Sequence, residues 1–180
     1  MVLPLTWLGL ARWAGHGYDL IWPPEFALRL GIPLAWWWLA SRRDWAFTVL
    51  LAACAATFIG HGCYALGLGG PTPLAFRQML QAVLPVGEAA TTAILHLVGL
   101  LDLLVACALL LPATRGPALL YMAAWGGLTA CLRLSFIDPT FLGDTLAPAT
   151  FAFLERLPHA AIPLLCWWHL QRSSHRRPVT

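Results

Sequence analysis

The chain has 180 residues, of which 59% are hydrophobic and only 11% charged, and its formal net charge is +3. Soluble domains carry roughly 25% charged residues. A chain of this length cannot hide so much apolar surface from water, so its composition excludes an ordinary soluble domain and indicates lipid as the solvent. The basic residues are all arginines and are spread along the sequence, which argues against a nucleic-acid interface.

Residues 1–24 form the first predicted region. The stretch 3–22 is apolar but contains Arg12, His16 and Asp19. This mixture is typical of an amphipathic helix on the membrane surface or of a partly inserted one. The stretch lacks the basic segment and small-residue cleavage site of a secretory signal. Whether residues 3–22 span the membrane stays open at this point.

Residues 25–170 form a predicted transmembrane helical domain, because a spanning helix needs about 20 mainly apolar residues and four or five stretches qualify. The stretches cover residues 26–40, 45–68, 92–111, 117–134 and 151–170. The sequence LAFRQMLQAVL at 74–84 is amphipathic and predicts a short surface helix. Residues 135–150 hold two prolines and a glycine and are predicted to form a loop. We therefore expect an all-α polytopic membrane protein, a four-helix transmembrane bundle with one or two additional N-terminal helices.

The arginines predict the orientation of this bundle. Arginines at 42–43, at 115, and at 172, 176 and 177 fall at alternate ends of successive spans. The positive-inside rule places that side in the cytoplasm. The prediction is a multi-pass protein of the bacterial cytoplasmic (inner) membrane, in contact with lipid. Its basic C-terminal tail, residues 171–180, is cytoplasmic, and with five spans residues 1–24 are outside.

Each of the last four spans carries a polar stripe at helical spacing. The stripes comprise Cys54, Thr57, His61 and Tyr64; Thr92, His96, Gly99 and Asp102; Met122, Gly126, Thr129 and Arg133; and Glu155, His159, Ile162 and Cys166. At about 1.5 Å per residue, His61, His96 and Arg133 each lie about 24 Å from the cytoplasmic end of their helix. We predict an outer-facing pocket lined by these three residues, Glu155 and His159. Asp102, near mid-membrane, is expected to form a buried hydrogen bond. The alternative is that these side chains form no shared pocket and only extend (snorkel) to the outer membrane interface.

The tripeptide Gly-His-Gly occurs twice, around His16 and around His61. Flanking glycines allow a flat ligand such as a haem or another tetrapyrrole, or a neighbouring helix, to approach the imidazole closely. Two histidines at one depth, His61 and His96, suit bis-histidine haem ligation, and four suit a transition metal. A hydrogen-bonded membrane histidine with no ligand is the ordinary alternative, and no HxxxH, ExxH or CxxCH spacing occurs.

Arg133 has two interpretations. It forms a plain ion pair with Glu155 or Asp138 at the outer rim, or it donates to an anionic or quinone-like head group beside a proton-carrying histidine. The sequence contains no GxSxG, P-loop or Rossmann motif, so it does not decide whether the protein is an enzyme.

A family resemblance covers residues 47–170. The segments that carry it are FIGHGCYALG, then LVGLLDLLVACALLLPATRGPALLYMAAWGGLTACLRL, then ERLPHAAIPLL, with a Gly-x-x-Asp sequence followed by an apolar run and a Pro/Arg turn. In these segments the chain resembles the DoxX-like group of small four-helix bacterial membrane proteins. The resemblance implies a four-helix bundle and quinone-linked thiosulfate oxidation, the activity with which such relatives are associated.

The sequence therefore favours a membrane redox function, carried out through an outer-facing pocket for a quinone or haem-like group. One alternative is an accessory or pigment-bearing structural subunit of a larger membrane complex, which the ten tryptophans also suit. Another is a small transporter whose path includes Asp102.

Overall fold

The computed structural model describes residues 7, 10, 11, 13–15, 19–41, 44–68 and 70–175. His16 and much of the stretch 3–22 lie outside these residues. Within them the chain is helical and contains no strand, which confirms the all-α prediction. The helices are α1 (Trp22–Ser41), α2 (Asp44–Leu66), α3 (Leu74–Val83), α4 (Glu88–Ala108), α5 (Arg115–Cys131), α6 (Leu142–Arg156) and α7 (Pro158–His175). Two 3-10 turns, Leu132–Phe136 and Pro139–Phe141, connect α5 to α6.

Three helical segments in the described part of the chain are long and apolar enough to cross a membrane. They are Trp45–Leu66 in α2, Glu88–Ala108 in α4, and Arg115–Phe136, which joins α5 to the following 3-10 turn. Helices α1 and α7 have comparable lengths of 20 and 18 residues. They are not among these three segments: α1 contains the charged residues Glu25 and Arg29, and α7 contains several polar side chains.

The helices pack into one bundle. Helix α1 packs along α2, α2 along α4, and α5 along α7, while α1 and α2 both contact α7. The shared core lies between α1, α2, α5 and α7. Its largest fully buried side chains include Leu28, Trp38, Leu50, Phe58, Leu119 and Met122.

Three glycines set the closest approaches between these helices. A Cβ atom at Gly60 would lie 2.7 Å from the backbone nitrogen of Glu25, and one at Gly62 would lie 2.8 Å from the Gly99 carbonyl oxygen. A Cβ at Gly126 would lie 2.5 Å from the carbonyl carbon of His159. Small residues permit such backbone contact between membrane helices. Backbone atoms of α1 and α4 therefore fill the space beside the two glycines that flank His61. These two glycines are in close contact with neighbouring helices.

The start of α1 differs from the predicted boundary at residue 24. The Asp19 carboxylate accepts a hydrogen bond of 2.9 Å from the Ile21 N–H, and this turn leads into a helix that begins at Trp22. Pro23 and Pro24 occupy the first turn, where a proline costs no intrahelical hydrogen bond. Helix α1 therefore includes Glu25 in its first turn.

The stretch between α5 and α7 corrects two predictions. The predicted loop 135–150 is mostly helical, because α6 begins at Leu142 and accommodates Pro148 in its interior. The single predicted span 151–170 is two helices, with α6 ending at Arg156 and α7 beginning at Pro158. Pro158 has no N–H with which to continue the helical hydrogen bonds, so the helix is interrupted at Leu157, which forms the corner between α6 and α7. This corner brings the ends of α6 and α7 together.

Helix α3 confirms that the amphipathic stretch 74–84 is helical, and none of its residues is buried. Its Arg77 forms an ion pair with Glu88 and donates a hydrogen bond of 2.9 Å to the Thr92 hydroxyl. These contacts tie α3 across the N-terminal end of α4. The apolar side of α3 is thereby turned toward the bundle.

Candidate functional site

Charged and imidazole side chains from four helices meet at one end of the bundle. They form what we call the charged cluster, which comprises Glu25 and Arg29 from α1, His61 from α2, Arg156 from α6 and His159 from α7. The three residues Glu25, His61 and His159 are only 5%, 8% and 1% exposed. The close approaches at Gly60 and Gly126 hold α1 against α2 and α5 against α7 at this level.

Glu25 is the centre of the cluster. Its Oε1 lies 3.1 Å from Nη2 of Arg156 and 3.2 Å from Nε2 of His61. Its Oε2 lies 3.4 Å from Nη1 of Arg29, one helical turn away. A buried charge persists only when it is paired and hydrogen-bonded, and this carboxylate faces two guanidinium groups.

The Nε2 atom of His61 has two competing neighbours. It lies 2.7 Å from Nη1 of Arg156 and 3.2 Å from the carboxylate of Glu25. A guanidinium only donates, and a carboxylate without a proton only accepts. Neutral His61 therefore accepts from Arg156 through the Nε2 lone pair, and the ring donates to Glu25 only when Nε2 carries a proton.

His159 lies directly against His61. Their rings stack with centroids 5.1 Å apart and an interplanar angle of 7°. The Nδ1–H of His159 donates to the Arg156 carbonyl oxygen at 3.1 Å, because a carbonyl can only accept. In the neutral ring, Nε2 then carries the lone pair. This nitrogen is buried and has no hydrogen-bond partner among the described residues.

The predicted bis-histidine haem pair was His61 and His96, but the structure places His159 rather than His96 beside His61. Axial ligands must point their in-plane nitrogen lone pairs at an iron between them. His61 and His159 instead face each other through their ring planes. The geometry of this pair is that of adjacent ligands or hydrogen-bonding groups on one side of a shared site.

His96 was predicted to line the pocket, but the structure shows it exposed and outside the charged cluster. The buried face of α4 runs through Thr91, Leu95, Gly99 and Asp102. Gly99 is pressed against Gly62 of α2, which fixes the rotation of α4. His96 follows Leu95 by one residue, about 100° around the helix, and so turns outward.

An apolar cavity opens beside the cluster, between α2, α3, α4 and the end of α5. The open space between its lining side chains is about 660 Å³, a volume that includes solvent at its mouth. Side chains of Phe76, Met79, Leu80, Ile94, Leu95, Val98 and Trp125 form most of its wall, and polar side chains are at His61, Asp102, Arg133 and Arg156. We call it the apolar cavity. It joins hydrophobic walls to a group of hydrogen-bond donors.

Asp102 is buried in this wall, with 2% of its surface exposed, and accepts a hydrogen bond of 3.0 Å from the Tyr121 hydroxyl. The predicted buried hydrogen bond at Asp102 is therefore present. Tyr121 lies on α5, so the bond links α4 to α5.

A second, more polar opening lies on the other side of the cluster, and we call it the polar cleft. Its polar lining residues are Asp19, Glu25, Arg29, Tyr64, Arg133, Glu155 and Arg156. Tyr64 donates a short hydrogen bond to Asp19, and Nε of Arg29 donates to the Glu155 carbonyl oxygen at 3.3 Å. Arg133 and Arg156 line both openings, so these guanidinium groups separate the polar cleft from the apolar cavity.

The predicted site residues thus have different positions. His61 and His159 lie in the cluster, Arg133 borders both openings, and Glu155 lines the polar cleft. Asp138, proposed as a partner for Arg133, accepts a hydrogen bond of 2.8 Å from the Thr140 N–H and begins a 3-10 turn.

Sequence reasoning missed Glu25, Arg29 and Arg156. The available signal was the spacing of Glu25 and Arg29, four residues apart within an apolar helix, where an unpaired charge is costly. Arg156 gave no comparable signal, since its position depends on the corner at Leu157.

The arrangement combines a buried carboxylate, two neighbouring imidazoles and convergent guanidinium groups at the end of an apolar cavity. Such a site can bind a small molecule with a polar head and an apolar body. Its chemistry must be inferred from these side chains, because comparisons with protein-family models, with curated proteins and with solved structures each found no match to this chain.

Proposed function

We propose that the chain is a multi-pass protein of the bacterial cytoplasmic membrane that serves a membrane redox process by binding a quinone-like molecule in the apolar cavity. The observation that carries this proposal is the pairing of apolar walls with the guanidinium groups of Arg133 and Arg156 at one end. The DoxX-like resemblance of residues 47–170 points to the same class of ligand.

The polar end of the cavity suits a quinone head group. Quinone carbonyl oxygens only accept hydrogen bonds, and guanidinium groups only donate them. Charge-assisted hydrogen bonds of this kind are roughly twice as strong as neutral ones. Asp102, whose carboxylate accepts a hydrogen bond from the Tyr121 hydroxyl, provides a second polar group in the same cavity wall. The head group would lie between these two polar regions.

The apolar walls suit the rest of such a ligand. Phe76, Met79 and Leu80 on α3 cover one side, and Ile94 and Val98 on α4 form the other. A hydrocarbon tail would leave through this side, between a surface helix and a membrane-compatible helix.

Filling the cavity tests the proposal. Replacing Val98 with phenylalanine is expected to weaken photolabelling by an azido-quinone about tenfold, because overpacking costs about 1–3 kcal/mol and 1.4 kcal/mol corresponds to tenfold. The measurement is the concentration dependence of labelling in detergent-solubilised full-length protein.

Leu97→Phe is the matched control for this substitution. Leu97 is adjacent in sequence and 68% exposed, so the same side chain is added outside the cavity. Equal labelling of the two variants, with both folded, would place the quinone elsewhere and sink the proposal.

The proposed topology has five spans, α1, α2, α4, α5 and α7. The charged cluster then lies at the outer ends of these helices, opposite Arg115 and Arg172. Buried packing supports α1 and α7 as spans, because both contribute to the core that α2 and α5 share. Glu25 and Arg29 of α1 and His159 of α7 lie in the charged cluster.

Fusions at the C-terminus check this topology. We expect green fluorescent protein fused after Thr180 to fluoresce and alkaline phosphatase at the same place to be inactive, since the first matures in the cytoplasm and the second outside it. The reverse pattern would invert the orientation and move the charged cluster to the cytoplasmic side. Fusions in the loop between α2 and α3 serve as the internal control and should show the opposite pattern.

A further inference from the structure

We propose that Glu25, His61 and His159 form a binding site for a divalent first-row transition-metal ion, and that Arg156 occupies the cation position when no metal is bound. The ligand atoms of the three residues lie within 4.8 Å of one another, and all three residues are buried. Two imidazole nitrogens with one carboxylate oxygen are a donor set that Zn²⁺ and Fe²⁺ use in proteins. The proposed site shares His61 and Arg156 with the polar end of the apolar cavity, but metal binding does not require the quinone-like ligand.

His159 is the observation that points to a ligand. Its Nδ1–H is fixed by the Arg156 carbonyl, which leaves the lone pair on Nε2, and a ring nitrogen of His159 lies within 4.8 Å of ligand atoms of Glu25 and His61. Metal-binding histidines almost always donate their other ring nitrogen to a carbonyl or carboxylate in this way. Nε2 itself is buried and has no hydrogen-bond partner in the part of the chain that the structure describes, an unfavourable arrangement unless something binds there.

The other two ligands already hold a cation. The Arg156 guanidinium lies 3.1 Å from Oε1 of Glu25 and 2.7 Å from Nε2 of His61. It therefore contacts the same carboxylate oxygen and the same imidazole lone pair that a metal ion would use. A metal ion and this guanidinium exclude each other, both by position and by charge.

Arg156 has a place to go when a metal binds. It is the last residue of α6, next to the corner at Leu157, and its side chain already borders the polar cleft. The cleft is lined by the carboxyl groups of Asp19 and Glu155 as well. Rotation of the side chain toward them would release Glu25 and His61 while keeping the guanidinium beside negative charge.

The movement required of the ligands is small. Tetrahedral coordination at about 2.0–2.1 Å places ligand atoms about 3.4 Å apart. Starting from separations of at most 4.8 Å, each of the three atoms must move inward by about 1 Å or less. The planes of the two imidazole rings are nearly parallel, so at least one ring must also rotate about its side-chain torsions to direct its lone pair at the ion.

Cobalt and zinc binding to the purified full-length protein test the site. We expect Co²⁺ to give visible d–d absorption and Zn²⁺ to suppress it by competition, in protein purified through a tag without histidine. His159→Ala and His61→Ala should each abolish the absorption. The matched control is His96→Ala, which removes an exposed histidine from α4 and should leave the absorption unchanged.

Arg156→Gln separates this proposal from a simple loss of folding. Removing the competing guanidinium should tighten Zn²⁺ binding by about tenfold or more, because a like charge a few ångströms from the ion is removed. A wild-type protein that binds no more metal than the His61→Ala/His159→Ala double variant would overturn the proposal. An unchanged affinity in Arg156→Gln would also overturn it. Photolabelling of the same preparations with the azido-quinone tests quinone binding separately from metal binding.

Discussion

Replacing Gly126 with alanine is expected to lower the stability of the protein by about 3 kcal/mol, the upper end of the range for overpacking. The added methyl group would lie 2.5 Å from the carbonyl carbon of His159 and 3.0 Å from the nitrogen of Ala160. Both obstacles are backbone atoms, so a side-chain rotation cannot relieve them. Helices α5 and α7 must separate, and His159 moves away from His61.

Gly127→Ala is the control for this experiment because it makes the same chemical change one residue further on. Its Cβ would lie 3.7 Å from the Cβ of Ala160, an ordinary contact. Alanine favours a helix over glycine by about 1 kcal/mol, so Gly127→Ala should be neutral or stabilising. The measurement is the melting temperature of each variant in detergent, with unfolding monitored by size-exclusion chromatography. Equal melting temperatures would show that α5 and α7 do not pack through Gly126.

The faces of individual helices were predictable from the sequence. Cys54, Thr57 and His61 recur at helical spacing, and all three are buried on α2. Met122 and Gly126 are likewise buried on α5. Asp102 was expected to be buried because an ionisable group in a lipid-facing position is costly, and its bond to Tyr121 satisfies that expectation. The spacing of residues along a helix and their depth in the predicted span therefore indicate which side chains face the interior of the bundle.

The partners across helices were not predictable in the same way. His96 and Leu95 are adjacent in sequence, and only the contact between Gly62 and Gly99 decides which of them faces the bundle. Arg156 reaches Glu25 because the helix is interrupted before Pro158. The apolar residues on both sides of this interruption nevertheless predict a single span. A close approach between distant segments decides such contacts, and it leaves no periodic pattern.

Glu25→Gln is expected to lower the stability by about 3–5 kcal/mol, because removing one partner leaves buried charges without compensation. The substitution preserves the shape of the side chain but removes the negative charge that Arg29 and Arg156 face. Chemical unfolding in mixed detergent–SDS micelles measures the effect. The control is Glu88→Gln, whose carboxylate is 60% exposed and pairs with Arg77, so its loss should cost about 0–1 kcal/mol.

A second substitution shows whether charge is the cause of this loss. In the Glu25→Gln background, Arg156→Gln removes one of the two uncompensated guanidinium groups and should recover part of the stability. The double-mutant cycle then gives a coupling between the two residues of more than about 1 kcal/mol, as expected for groups in direct contact. Additive effects would mean that Glu25 and Arg156 do not interact in the folded protein. The charged cluster would then lose its central pair, and the polar end of the apolar cavity would need a different explanation, because Arg156 is held there by Glu25 and by His61.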